Sequence, residues 1–121
     1  MPEPVANFCD ANCSRDERDP NYDDEFADTA PVTSFEEGRS PFGLYNMSGN
    51  VMEWVFDWYD PSYYAESTEI NPSGPTQGTA RVLRGGSWYN TLQSLEVARR
   101  GSYVPEVARA TLGFRCARIV E

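Results

Sequence analysis

Gly-Leu-Tyr-Asn-Met-Ser-Gly-Asn-Val-Met-Glu-Trp, residues 43–54, is the stretch on which the reading of this chain turns. Two shorter blocks share its character, Arg84-Gly85-Gly86-Ser87-Trp88 and Leu112-Gly113-Phe114-Arg115-Cys116. Each sets glycine beside an aromatic and a charged or amide side chain, the composition of tight turns with exposed backbone carbonyls. Such blocks mark an irregular domain built from loops, held in shape by a metal or a buried charge network.

The wider composition agrees. The chain has 121 residues, enough for one domain with a modest core, and its nine Gly and nine Pro punctuate short apolar runs. Net charge is −9, which opposes binding to nucleic acid or anionic membranes; neither is expected as a partner. The acids crowd between Asp10 and Glu37, whereas most arginines follow residue 80. Acidic loops of that kind take a cation or face a basic partner. Histidine is absent, which removes histidine-dependent triads, histidine zinc sites and two-histidine iron sites. Cys9 and Cys13 are read as structural thiols or a local disulfide, although their four-residue spacing makes a bridge geometrically demanding. No apolar run is long enough for a membrane span and no export signal is visible at the N-terminus. The compartment is not legible.

Along the chain, residues 1–40 read as coil with one extended fragment at Pro31–Phe35. Residues 51–58 fit either a short helix or a strand, and the density of Trp, Val and Phe favours the strand. Residues 61–79 read as loop and Ala80–Arg84 as a brief strand. Leu92–Arg100 is read as a short helix or a loop. Gly113–Val120 is expected to form a last strand with Phe114, Cys116 and Ile119 inward, so that Cys116→Ser would destabilise.

The three blocks, with Ala6-Asn7, Thr29–Val32 and Arg81–Trp88, resemble in order and spacing the formylglycine-generating enzyme (sulfatase-modifying factor) family. The resemblance implies an α+β, mostly irregular variant of the C-type lectin fold with short antiparallel strands. Residues 1–121 would form a single such domain lacking the usual N-terminal half.

Calcium binds about six to eight oxygens, often carboxylates and loop carbonyls. Asn46, Gly49, Val51 and Glu53 offer such a set, and the resemblance implies a calcium there. It implies a second at Asn7, Phe8, Asp24 and Phe26. One or two calcium ions per chain are therefore expected. The competing readings are that Glu53 pairs with a buried arginine and that Asp24 is one more surface acid.

In the enzyme family, two cysteines after the Gly-Gly-Ser turn bind copper(I). The matching positions here are Asn90 and Leu95, neither of which ligates copper(I), so copper and oxidase activity are not expected. The expected role is a protein- or peptide-binding module using the 88–112 surface, with Trp88, Tyr89, Asn90, Arg99, Arg100 and Tyr103 as contacts. Trp88 could equally cap the core, and Arg99 and Arg100 could pair with acidic loops. The alternatives are the C-terminal part of a formylglycine-generating-type oxidoreductase completed by another chain, or a retroelement-diversified variable protein. Exposed apolar surface would also favour a homo-oligomer or a complementing N-terminal half.

Overall fold

Trp54, Val55, Phe56 and Trp58 favour a pleated surface, and residues Met52–Trp58 form strand β1, as the aromatic density predicts. The computed structural model describes residues 3–120. After β1 come a single helical turn, α1 (Tyr63–Glu66), then β2 (Arg81–Arg84), β3 (Gly101–Tyr103) and β4 (Leu112–Gly113). Short 3-10 turns cover Glu36–Gly38 and Leu92–Leu95. The four strands make one sheet in the order β3-β2-β1-β4. β2 runs antiparallel to both β3 and β1, setting Trp54 opposite Leu83 and Glu53 opposite Arg84. The register slips between Trp54 and Trp58, which twists the far end of β1. β4 lies parallel to β1, with Met52 beside Leu112 and Glu53 beside Gly113.

Most of the chain is irregular, and its buried backbone is satisfied by loop-to-loop bonds. The Asn50 amide N–H donates to the Asn7 carbonyl at 2.8 Å, and that of Cys9 to the Asn90 carbonyl at 2.8 Å. The Asn50 side chain acts as a substitute strand for residue 30. Its Oδ1 accepts from the Ala30 amide at 3.0 Å and its Nδ2 donates to the Ala30 carbonyl at 3.2 Å. Phe8, Cys9, Phe35, Val82, Leu83 and Leu95 are buried on either side of these ties. Cys9 and Cys13 form a disulfide.

Several local expectations are corrected. Residues 32–34 are turn rather than extended, and 63–66 are helical within the segment read as loop. The last strand stops at Gly113, because β1 offers β4 only Met52 and Glu53 as partners. Beyond that point no strand pairing defines an inward face, although Arg115 still bonds to Glu53. Phe114 is 75% and Ile119 93% exposed, and Cys116 is a free, exposed thiol. Cys116→Ser is therefore expected to shift stability by no more than about 0.5 kcal/mol in urea titration, in place of the loss the sequence suggested. A larger loss would mean that the segment after Gly113 packs.

Candidate functional site

Two loops approach each other at the N-terminal side of the core. Asn7 and Asp24 are buried, at 0% and 1% exposure. Asn7 spends its amide Nδ2 on the Asp28 carbonyl at 2.7 Å, which aims Oδ1 inward with no partner. Asp24 accepts the Phe26 amide on Oδ1 at 2.8 Å, and its Oδ2 is likewise buried and unpartnered. The Phe8 amide lies against the same carboxyl, bringing the Asn7-Phe8 and Asp24–Phe26 segments together. Burial is the largest influence on Asp24 and raises its pKa to about 7, the negative field of Asp10 adding to it. No arginine forms an ion pair with Asp24 among the described residues. Two buried oxygens without donors are what a bound cation would satisfy. The residue types also fit calcium: one carboxylate, one amide oxygen and loop carbonyls. No group of three or more His, Cys, Asp or Glu side chains gathers among the described residues, so main-chain and amide oxygens would make up most of such a shell.

Asp10 was missed by sequence reading, where it was one acid among many. It is fully buried, and its Oδ2 accepts the Asp24 amide at 2.5 Å while Oδ1 accepts the Asn12 amide at 2.9 Å. Asp10 therefore fixes the backbone from which the Asp24 carboxyl projects.

The other set is arranged differently. Asn46, Val51 and Glu53 line a cavity of about 350 Å3 with Phe114 and Arg115, while Gly49 lies outside its lining. Asn46 Oδ1 is buried without a partner, its Nδ2 donating to the Val32 carbonyl at 2.9 Å. Glu53, however, carries a two-pronged ion pair: Arg115 Nε donates to Oε2 at 2.7 Å and Nη2 to Oε1 at 2.5 Å. The same Nη2 donates to the Tyr45 and Asn46 carbonyls at 2.9 and 3.2 Å. The arginine pairing weighed for Glu53 is thus present in this structure. A cation there would have to share or displace the guanidinium, so the fit is better at Asn7 and Asp24.

Trp88, Tyr89, Asn90 and Tyr103 line one cavity of about 520 Å3. Trp88 is half-buried; its Nε1–H donates to the Ala110 carbonyl at 3.2 Å and its ring meets Tyr89 edge-on at 5.3 Å. Tyr89 is 42% exposed, with the Arg15 guanidinium 4.9 Å from its ring centre. Arg109, unmarked in the sequence, lines the same cavity and lies over Tyr103 at 5.2 Å. Asn90 has a structural task as well, since its Oδ1 accepts from the Ser87 amide at 2.9 Å and from Ser87 Oγ at 2.8 Å. Arg99 and Arg100 do not line this cavity; they line a neighbouring one that shares Met52 and Asn90 with it. Leu95 is buried against Ala6 and Phe8.

The profile of the sulfatase-modifying factor enzyme 1-like domain matches residues 3–120. The chain belongs to this family. This formylglycine-generating-enzyme-like domain is 46% identical over 98 residues to the formylglycine-generating enzyme of Streptomyces coelicolor, a stretch covering 78% of the chain and 31% of that enzyme. It is 44% identical over 97 residues to the serine/threonine-protein kinase pkn1 of Chlamydia caviae, covering 78% of the chain and 15% of the kinase. The structure of PvdO from Pseudomonas aeruginosa superposes with a TM-score of 0.71 at 26% identity, covering 90% of the chain and 37% of PvdO. The fold is the α+β, sparsely regular, C-type-lectin-like one that the resemblance implied. The chain spans about a third or less of the length of these relatives.

Proposed function

We propose that this domain is a calcium-stabilised binding module without oxidase activity, holding a protein or peptide segment in the cavity of Trp88, Tyr89, Tyr103 and Arg109. The observation that carries the reading is the fate of positions 90 and 95. Family resemblance puts the copper-binding cysteines there, and this chain commits Asn90 to bracing Ser87 and Leu95 to the core. Neither side chain supplies the soft sulfur that copper(I) requires. Comparable identity to a named oxidoreductase and to a named kinase supports a shared domain rather than a shared reaction. Aromatic side chains and arginine around an open cavity favour recognition, since they bring large rigid contact area at little entropic cost.

Calcium in this reading is structural. Asn7 and Asp24 would hold it by side-chain oxygens, Phe8 and Phe26 by main-chain carbonyls, and its charge would neutralise the buried Asp24 carboxylate. The set at Asn46, Gly49, Val51 and Glu53 would take a second ion only with rearrangement of Arg115.

The test is selection of a displayed random-peptide library on the purified domain. Enriched peptides are expected to lose about tenfold or more in affinity on Tyr89→Ala or Tyr103→Ala, with the thermal midpoint unchanged. Peptides insensitive to both substitutions, or no enrichment, would overturn the binding reading. Oxygen uptake by the domain with copper(I) and a cysteine-containing peptide would restore the oxidoreductase alternative.

A further inference from the structure

Charge is divided along this chain. Residues 1–80 hold three arginines against sixteen Asp and Glu, and residues 81–121 hold seven arginines against three Glu. Three of those seven, Arg84, Arg99 and Arg100, line a single cavity of about 190 Å3 beside the Gly85-Gly86 turn. None of the three forms an ion pair among the described residues, where pairing is confined to Arg15, Arg39 and Arg115.

Two of the guanidinium groups are held in place by neutral partners. Arg84 Nη1 donates to the Val97 and Ala98 carbonyls at 3.1 and 2.9 Å, and its Nη2 to the Tyr64 hydroxyl at 3.1 Å. Arg100 lies over the rings of Tyr64 and Tyr59, 4.4 and 5.2 Å from their centres, and its Nη2 donates to the Asp60 carbonyl at 3.3 Å. Asp60 is the carboxylate that feels Arg100, but its Oδ1 is taken by the Ser62 amide and hydroxyl, both at 2.7 Å. Each guanidinium has five N–H donors, so both retain donors after these bonds. Arg99 is exposed at the lining of the same cavity. Arginines bonded to carbonyls and aromatic rings without an ion pair keep most of their positive field, with Asp60 and the nearby Asp57 offsetting a part, and in a protein of net charge −9 that field is local.

We infer that Arg84, Arg99 and Arg100 form a subsite for an anionic group, a carboxylate or a phosphate, carried by the peptide that occupies the Trp88–Tyr103 cavity. The two cavities share Met52 and Asn90, so one short segment reaches both. The peptide half of this inference rests on the proposed function; the anion subsite does not. Planar guanidinium forks match both oxyanions in two-pronged geometry.

The experiment is NMR of the arginine Nε–Hε groups during titration with inorganic phosphate, and separately with acetate, at constant ionic strength in sodium chloride. Arg84, Arg99 and Arg100 are expected to shift with a saturating curve while Arg18 and Arg118 do not. Arg99→Gln is expected to weaken phosphate roughly tenfold; the Arg99 side chain makes no ion pair among the described residues. Arg18→Gln is expected to leave the curve unchanged. Saturation by both anions identifies acidic side chains as sufficient ligands, and saturation by phosphate alone identifies a phosphorylated one. Equal, non-saturating shifts at all arginines, or an unchanged curve in Arg99→Gln, would overturn the subsite. Failure of the peptide selection with a saturating phosphate curve would overturn the peptide reading and leave the subsite standing.

Discussion

Calcium at one hundred times its dissociation constant is expected to raise the unfolding midpoint by roughly 10 °C, because ligand linkage at that excess contributes about 2.7 kcal/mol. Asp24→Asn is expected to remove that rise. The expected effect is large because a cation there would meet two needs at once: it would satisfy the orphaned oxygens of Asn7 and Asp24, and it would offset a buried negative charge. The pH dependence has a definite sign. The Asp24 pKa is raised in the folded protein from 3.8 to about 7, chiefly by burial. The folded metal-free chain therefore holds a proton that the unfolded chain releases. The stability from that proton is present below pH 3.8 and lost as pH rises to about 7. Calcium must displace the same proton at low pH, so the calcium-dependent rise should be larger at pH 8 than at pH 5.5. Asp24→Asn, neutral at every pH, should flatten this dependence in the metal-free protein. Melting curves at the two pH values, with calcium and with a chelator, check all three statements. A response lost in Glu53→Gln but kept in Asp24→Asn would transfer the ion to the other set.

Gly49→Ala is expected to destabilise by roughly 3–5 kcal/mol, enough to unfold a domain of ordinary stability. Gly49 has φ +85°, and a methyl group there would stand 2.3 Å from the Asn7 carbonyl oxygen. That oxygen accepts the Asn50 amide at 2.8 Å, and the Gly49 amide donates to the Gly85 carbonyl at 2.7 Å. One added carbon thus pushes apart the N-terminal segment, the 43–54 turn and the Gly85-Gly86 turn. Gly43→Ala is the comparison: its φ is +78°, yet nothing lies within 4 Å of the added carbon. It should lose only the smaller backbone penalty, about 1–2 kcal/mol. Similar losses in the two variants, by denaturant unfolding, would show that the clash at Asn7 relaxes freely.

The contrast between β1 and the C-terminal segment shows what the sequence could carry. Aromatic and β-branched residues in 52–58 encode a strand locally, and β1 formed as read. The alternation Phe114, Cys116 looked equally strand-like, but a strand needs a neighbour, and the sequence does not state that β1 offers β4 two residues only. The turn blocks were legible because glycines at positive φ leave a compositional mark, as at Gly49, Gly85 and Gly86. The candidate cation shell was legible only through family resemblance. Nothing local separates Asp24 from Asp23, and burial came from contacts distant in the chain. Asp10 went unnoticed for the same reason. The cavity residues Trp88, Tyr89 and Tyr103 were recognisable by type, whereas Arg109 and the separation of Arg99 and Arg100 into a second cavity depend on how β3 and the 104–111 loop turn.

The bond from the Cys9 amide to the Asn90 carbonyl also bears on how the protein is made. Residues 5–30 are tied partly among themselves, as by the Ala11 amide to the Tyr22 carbonyl at 3.0 Å, and partly to the distant Asn50 and Asn90. During synthesis at about 5–20 residues per second, roughly 4–16 seconds separate Cys9 from Asn90, so the distant ties close last. The Cys9–Cys13 bridge and the bonds within residues 5–30 span short stretches of chain and need no residue near 90. The acidic loops can therefore take local shape before Asn50 and Asn90 are available to anchor them.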